Sequence, residues 1–215
     1  MAIQYSVTVD NKANHSDYFM IYQDNPSSWT PSALALVWFA KFSNPGGKVR
    51  FTWSVEWGFS WAETGTLTPG IEFIPSELFD ASSGHNMVTF DYQGGVYRFS
   101  NPASGPDPSR LYLNESAGIP MSSHASVGVA MAGHTVYAAQ ARPNMQLVLS
   151  AHPRYYLAYG NYQQGEVIDA NTISNPLALV FPTGVYALNT TLNADGSWSP
   201  PTSLAQANAL RLQRE

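Results

Sequence analysis

The 215-residue chain contains no cysteine, which excludes disulfides and thiolate metal sites. Charge is scarce as well: Asp, Glu, Lys and Arg make up 12% of the residues, against an ordinary ~25%. The net charge of −5 argues against a nucleic-acid partner, which calls for a basic face. The three lysines, Lys12, Lys41 and Lys48, all fall in the first quarter. Lysine commonly guards strand edges against pairing with other chains. Its absence beyond Lys48 is a motive for self-association. No apolar run approaches the ~18 residues of a membrane helix; the longest block, 33–40, has eight. The opening MAIQYSVTVDNKANH lacks a basic region followed by an apolar one, so no classical signal peptide is expected. The expected location is cytoplasmic, or outside the cell by a route without such a signal.

Catalytic patterns are scarce too. A nucleophile elbow needs G-x-S-x-G between a strand and a helix. The nearest match, Gly58-Phe59-Ser60-Trp61-Ala62, lacks the last glycine and runs into Thr-Gly-Thr-Leu-Thr-Pro instead of a helix. The five histidines (His15, His85, His124, His134 and His152) form no HxH or HExxH. No phosphate-cradling glycine motif sits between a strand and a helix. The expectation is no catalytic residue, no metal and no cofactor. Glu56, Glu63, Glu72, Glu77 and Asp80 lie in or close after one segment; whether any two face each other across a cleft, as a glycosidase requires, is left to the fold.

What the chain has is alternation. Ile3, Tyr5, Val7 and Val9 make one apolar row opposite Gln4, Ser6 and Thr8, a half-buried strand. FTWSVEWGFSW, 51–61, places Phe51, Trp53, Val55, Trp57, Phe59 and Trp61 on one side. As one strand it would run roughly 36 Å, about twice the usual length, so Gly58 is expected to bend it between two layers. ALALVWFAKF (33–42) reads as a further strand, apolar on both faces. Gln93-Gly94 and Ala132-Gly133 sit between alternating runs and signal hairpins. An exposed row of six large apolar side chains would be a patch that soluble monomers rarely show. The aromatic row is therefore expected to be core.

About a dozen such strands, separated by Gly, Pro, Asn and Asp clusters, predict an all-β antiparallel β-sandwich. It is expected to be a single domain over 1–199. Residues 200–215, after Pro200-Pro201, read as a short C-terminal helix capped by Thr202, or as an extended arm. Trp29 and Trp198 stand in polar, turn-like segments. Tyr155, Tyr156, Tyr159 and Tyr162 crowd HPRYYLAYGNYQQG. Tyrosine suits a half-wet contact surface. These six, with Leu204 and Leu210 of the tail, are the candidate ligand or interface residues.

The blocks YFMIYQDNP, ALVWFAKFSNPGGKVRFTWSVEWGFSWAETGTLTPGI, QARPNMQLVLSAHPRYYLAYGNYQQGEVID and NPLALVFPTGVYALNTTLNADGSW resemble the rhizosphere-induced (RhiA-like) bacterial proteins, from about Tyr18 to Trp198. The resemblance implies quorum-controlled expression near plant roots and an abundant accessory role, and it carries over no catalytic residue. Three functions stay open. The first is a non-enzymatic protein acting by self-association, as a homo-oligomer or higher assembly, or by partner binding. The second is a carbohydrate- or small-ligand-binding module that stacks its ligand on exposed Trp and Tyr. The third is a hydrolase whose site the sequence hides.

Overall fold

The computed structural model describes residues 3–23, 33–82, 84–150 and 153–203. Trp29, His152, Leu204 and Leu210 lie outside them. Among the described residues there are eighteen strands: β1 (Gln4–Asn11), β2 (Asp17–Gln23), β3 (Leu34–Leu36), β4 (Phe39–Ser43), β5 (Lys48–Ser54), β6 (Trp57–Glu63), β7 (Glu77–Asp80), β8 (Met87–Gln93), β9 (Val96–Ala103), β10 (Arg110–Glu115), β11 (Ala125–Met131), β12 (His134–Gln140), β13 (Gln146–Ser150), β14 (Tyr155–Gly160), β15 (Val167–Ile168), β16 (Leu177–Leu179), β17 (Ala187–Leu192) and β18 (Thr202–Ser203). The count exceeds a dozen chiefly because β3, β15, β16 and β18 are only two or three residues long. One 3₁₀ turn, Ala170–Thr172, is capped by the Asp169 carboxylate. Among the described residues no helix is long and apolar enough to cross a membrane.

The strands form four sheets: β18-β17-β1-β5 (sheet I), β16-β14-β2-β4 (sheet II), β15-β3-β12-β11-β6-β7 (sheet III) and β13-β10-β8-β9 (sheet IV). Pairing is antiparallel except for β1 with β17 and β8 with β10. The fold is thus the expected all-β one, with two parallel seams added. Sheet I packs on sheet II, where Trp53 of β5 meets Tyr155 of β14 at 5.1 Å between ring centroids. Sheet III packs on sheet IV, where Trp61 lies 5.7 Å from Phe90 and Phe59 lies 6.3 Å from Phe99. One buried cluster runs through all four sheets. A smaller one, with Phe73 laid over Ala62, Leu36, Ala138 and Val167, covers the second face of sheet III.

Phe51, Trp53, Phe59 and Trp61 of the row are core, Trp57 is half-buried and Val55, expected inside, is exposed; the row is cut in two. Phe51 and Trp53 are buried in sheet I, and Phe59 and Trp61 in sheet III. The cut falls at Val55-Glu56 rather than at Gly58. There the backbone leaves one ladder for the other, and the Glu56 carbonyl accepts from the Ala132 N–H at 2.8 Å. Gly58 lies inside β6. A Cβ there would sit 2.9 Å from the Phe79 carbonyl oxygen, so this glycine permits the close approach of β7 and makes no bend. Residues 33–42 also divide. β3 joins sheet III and β4 joins sheet II, while Val37 and Trp38 between them are buried, with the Trp38 Nε1–H donating to the Met131 carbonyl at 2.9 Å. A run apolar on both faces here serves two sheets in succession.

Both expected hairpins form, the first turning one residue later than the expected Gln93-Gly94 because Gln93 pairs with Val96. Their central residues, Gly94-Gly95 and Ala132-Gly133, are left-handed with φ between 49° and 85°, the I′ geometry that matches strand twist. Thr202–Ser203 pairs with β17, so Thr202 extends sheet I instead of capping a helix; the rest of the expected helix or arm, 204–215, lies outside the described residues.

Phe59 is fully buried, whereas Val55 at the crossover is 39% exposed. Phe59→Ala is expected to lower unfolding free energy by about 3–5 kcal/mol, and Val55→Ala to stay within about 0.5 kcal/mol of the parent, both read from urea denaturation midpoints. Equal effects would contradict burial of the row in two separate layers.

Candidate binding site

At one end of the sheet I–sheet II sandwich the strands part around a pocket of about 470 Å³. Small-molecule sites commonly span ~300–1,000 Å³. Its wall takes Tyr5 from β1, Val55 from the crossover, Arg154, Tyr155 and Tyr156 from the start of β14, and Leu179 to Phe181 from β16 and its exit. The local sequence explains the placement. Tyr5 lies directly across from Trp53 in the β1–β5 ladder and stacks on it at 6.2 Å. Pro182 follows Phe181 and accepts a turn bond from the Val185 N–H, so the chain leaves sheet II and Phe181 is turned onto the aromatic floor. The Phe181 ring stands edge-on to Tyr5 at 5.1 Å, to Trp53 at 5.8 Å and to Tyr155 at 6.1 Å. Tyr155 stacks on Trp38 at 5.8 Å, and Tyr156 on Tyr22 at 5.5 Å. Each wall ring is thus held by a second ring behind it. Burial pushes the Tyr155 phenol up to about 12, and the neighbouring Tyr5 adds to the shift.

The aromatics singled out in the sequence do not share one surface. Tyr155 and Tyr156 enter the pocket. Tyr159, four residues on and so about 13 Å along the strand, instead packs on half-buried Trp198 at 5.7 Å, and its hydroxyl donates to the Gly196 carbonyl at 3.4 Å. Trp198 donates from Nε1 to the Asn175 carbonyl at 3.0 Å and rests against Phe19. These two rings clamp the Asp195-Gly196 turn onto sheet II. Tyr162 fills space over Gly160, where a Cβ would lie 2.7 Å from its ring. Tyr5 and Phe181 were missed as site residues. The first reads as an ordinary inward strand position and the second as the end of an apolar run, and nothing in their neighbours marks a pocket.

The acids and histidines scatter. Glu77 accepts the Trp61 indole N–H at 2.7 Å and is structural. Glu56 and Asp80 do line one cleft, but it measures about 90 Å³, and Glu56 is held by the Ser54 hydroxyl at 2.8 Å. Glu72 and His134 line another of about 270 Å³, where Gln164 holds the imidazole Nδ1 at 3.0 Å and burial lowers its basicity. Both clefts fall below the small-molecule range given above. Ser60 is wholly buried and accepts from Thr135. Among the described residues no three His, Asp or Glu side chains could jointly hold a metal ion. One acid is unusual. Glu115, 5% exposed at the end of β10, has its carboxyl pushed up to about 7 by burial, against the opposing hydrogen bond from the Arg142 N–H and the Arg142 charge.

Fold and pocket together define an all-β protein of four packed sheets with an aromatic cavity at the mouth of one sandwich. The family model for RhiA matches residues 2–200. The chain is 32% identical over 199 residues to Protein RhiA of Rhizobium leguminosarum bv. viciae, covering 91% of this chain and 85% of that one. The chain belongs to the RhiA family. No solved structure matches it.

Glu115 makes stability depend on pH. The folded protein keeps this proton to about pH 7, while the unfolded chain releases it near the ordinary 4.5. Between those values the folded state binds more protons, so the contribution is complete below 4.5 and declines as pH rises towards 7, by on the order of 2–3 kcal/mol. Glu115→Gln is expected to flatten that slope in urea midpoints taken from pH 4.5 to 7.5. A parent protein that becomes more stable over the same interval, with the slope unchanged in the variant, would refute the assignment.

Proposed function

We propose that this RhiA-family protein acts by non-covalent binding, without catalysis, and that the pocket between sheets I and II takes a small, largely apolar molecule. One observation carries this: a pocket of ligand size lined by four aromatic residues, Tyr5, Tyr155, Tyr156 and Phe181. The lining favours an apolar ligand over a glycan. Its polar side-chain groups are the tyrosine hydroxyls and Arg154, whereas a sugar presents hydroxyls on every side and needs many partners. The scatter of acids and histidines supports binding over hydrolysis.

Self-association has support of its own at the edge of sheet II. Among the described residues β16 pairs with β14 alone. Its Leu-Ala-Leu carries no charge, and Val180 beside it is 73% exposed. An uncharged apolar edge invites strand pairing with a second copy.

Indole is expected to raise the melting temperature and to quench tryptophan emission on binding. Tyr156→Ala and Phe181→Ala should weaken it at least fivefold, while Trp198→Ala, away from the pocket, should leave it unchanged. Binding that survives both pocket variants, or an oligosaccharide whose binding depends on Trp198, would displace this reading. For association, sedimentation velocity should show concentration-dependent growth that Val180→Lys reduces. A monomer at every concentration would remove the edge from consideration.

A further inference from the structure

The pocket between sheets I and II is uncharged but for one residue. Among the described residues that line it, Arg154 alone carries a charge. That this charge is positive runs against the chain's net −5. The lining grades from dry to wet. Tyr155 and Leu179, which face each other in the β14–β16 ladder, are buried, and Phe181 stands edge-on to Tyr155 and Tyr5. Arg154 and Val180 are exposed. β14 begins at Tyr155, and its alternation continued back by one residue sets Arg154 on the Tyr156 side. The cation therefore belongs to the mouth of the pocket, and the rings of Tyr155, Tyr5 and Phe181 to its interior. An exposed guanidinium keeps its hydration, so it costs the fold little to hold one there.

We infer that the pocket's ligand is a small amphiphile with a single acidic group. Its apolar body lies against Tyr155, Leu179 and Phe181, and its carboxylate meets Arg154 at the mouth. This inference rests on the binding function proposed above and names the chemistry of its ligand. One cation matches one negative charge, and a guanidinium fits a carboxylate through paired N–H donors. A phosphate group would draw several cations or a helix N-terminus, and the described lining holds neither. A cationic ligand would find no acid on it. Glu56, which follows Val55 in the chain, lines other clefts and is held by the Ser54 hydroxyl at 2.8 Å.

Three probes share one body and differ in charge: hydrocinnamate, the matching alcohol phenylpropanol and the matching cation phenylpropylammonium. Titration calorimetry on the full chain at neutral pH and low salt should find the acid bound roughly tenfold more tightly than the alcohol, the scale of one charge-assisted hydrogen bond. The ammonium should bind weakest. Added salt should narrow the gap between acid and alcohol, because exposed charges are screened. Arg154→Gln should bring the acid level with the alcohol and leave the alcohol unmoved, while Arg154→Lys should keep part of the preference. An acid that binds no better than the alcohol, or whose advantage survives Arg154→Gln, would overturn the inference and leave the binding function standing. If indole and all three probes fail to bind, both fall together.

Discussion

Everything in this molecule depends on hiding one aromatic segment from water in two layers. Phe51 and Trp53 must be covered by sheet II, and Phe59 and Trp61 by sheet IV. Burying each large ring contributes about 1.5–3 kcal/mol, so the segment as a whole outweighs any single hydrogen bond or ion pair. The ion pairs found are few and exposed, such as Lys48 with Asp10 at 2.8 Å, and pairs of that kind are worth little. Because one strand cannot lie in both sandwiches, the ladder breaks at Val55-Glu56. The chain meets the same demand at Val37-Trp38, where the Met131 carbonyl takes the indole N–H that the break leaves inside.

The pocket follows from that break. Val55 leaves β5 and Phe181 leaves sheet II close together, and with Tyr5, Tyr155 and Tyr156 they line a gap that no strand fills among the described residues. Holding each of these rings against a second ring makes the cavity a fixed shape. A preformed apolar cavity costs a ligand little ordering on entry. Membership of the RhiA family adds no chemistry by itself, and the functional argument rests on the site rather than on the fold.

The acids illustrate the opposite outcome. Five of them crowd a short span of sequence, yet strand alternation and pairing send them to different partners: Glu77 to an indole N–H, Glu56 to a hydroxyl, Glu72 to another cleft. Proximity along a β-chain is a poor guide to convergence, since successive residues face opposite sides of a sheet. Glu115, which nothing in the sequence marks, is the acid that burial alters most.

The all-β class, the two I′ hairpins and the burial of Phe51, Trp53, Phe59 and Trp61 were legible in the sequence. Each follows from period-two alternation or from turn residues acting over a few positions. Two of the four aromatic residues of the pocket were legible as well, because Tyr155 and Tyr156 stand side by side in a tyrosine-rich stretch. The rest came from tertiary structure. Which sheet each half of 51–61 joins, that Thr202 extends a strand, that Trp198 clamps a turn, and that Tyr5 meets Phe181 across more than a hundred residues are matters of long-range pairing. Alternation states which side of a strand is apolar; only the packing of one sheet against another decides what that side faces, and where a gap is left.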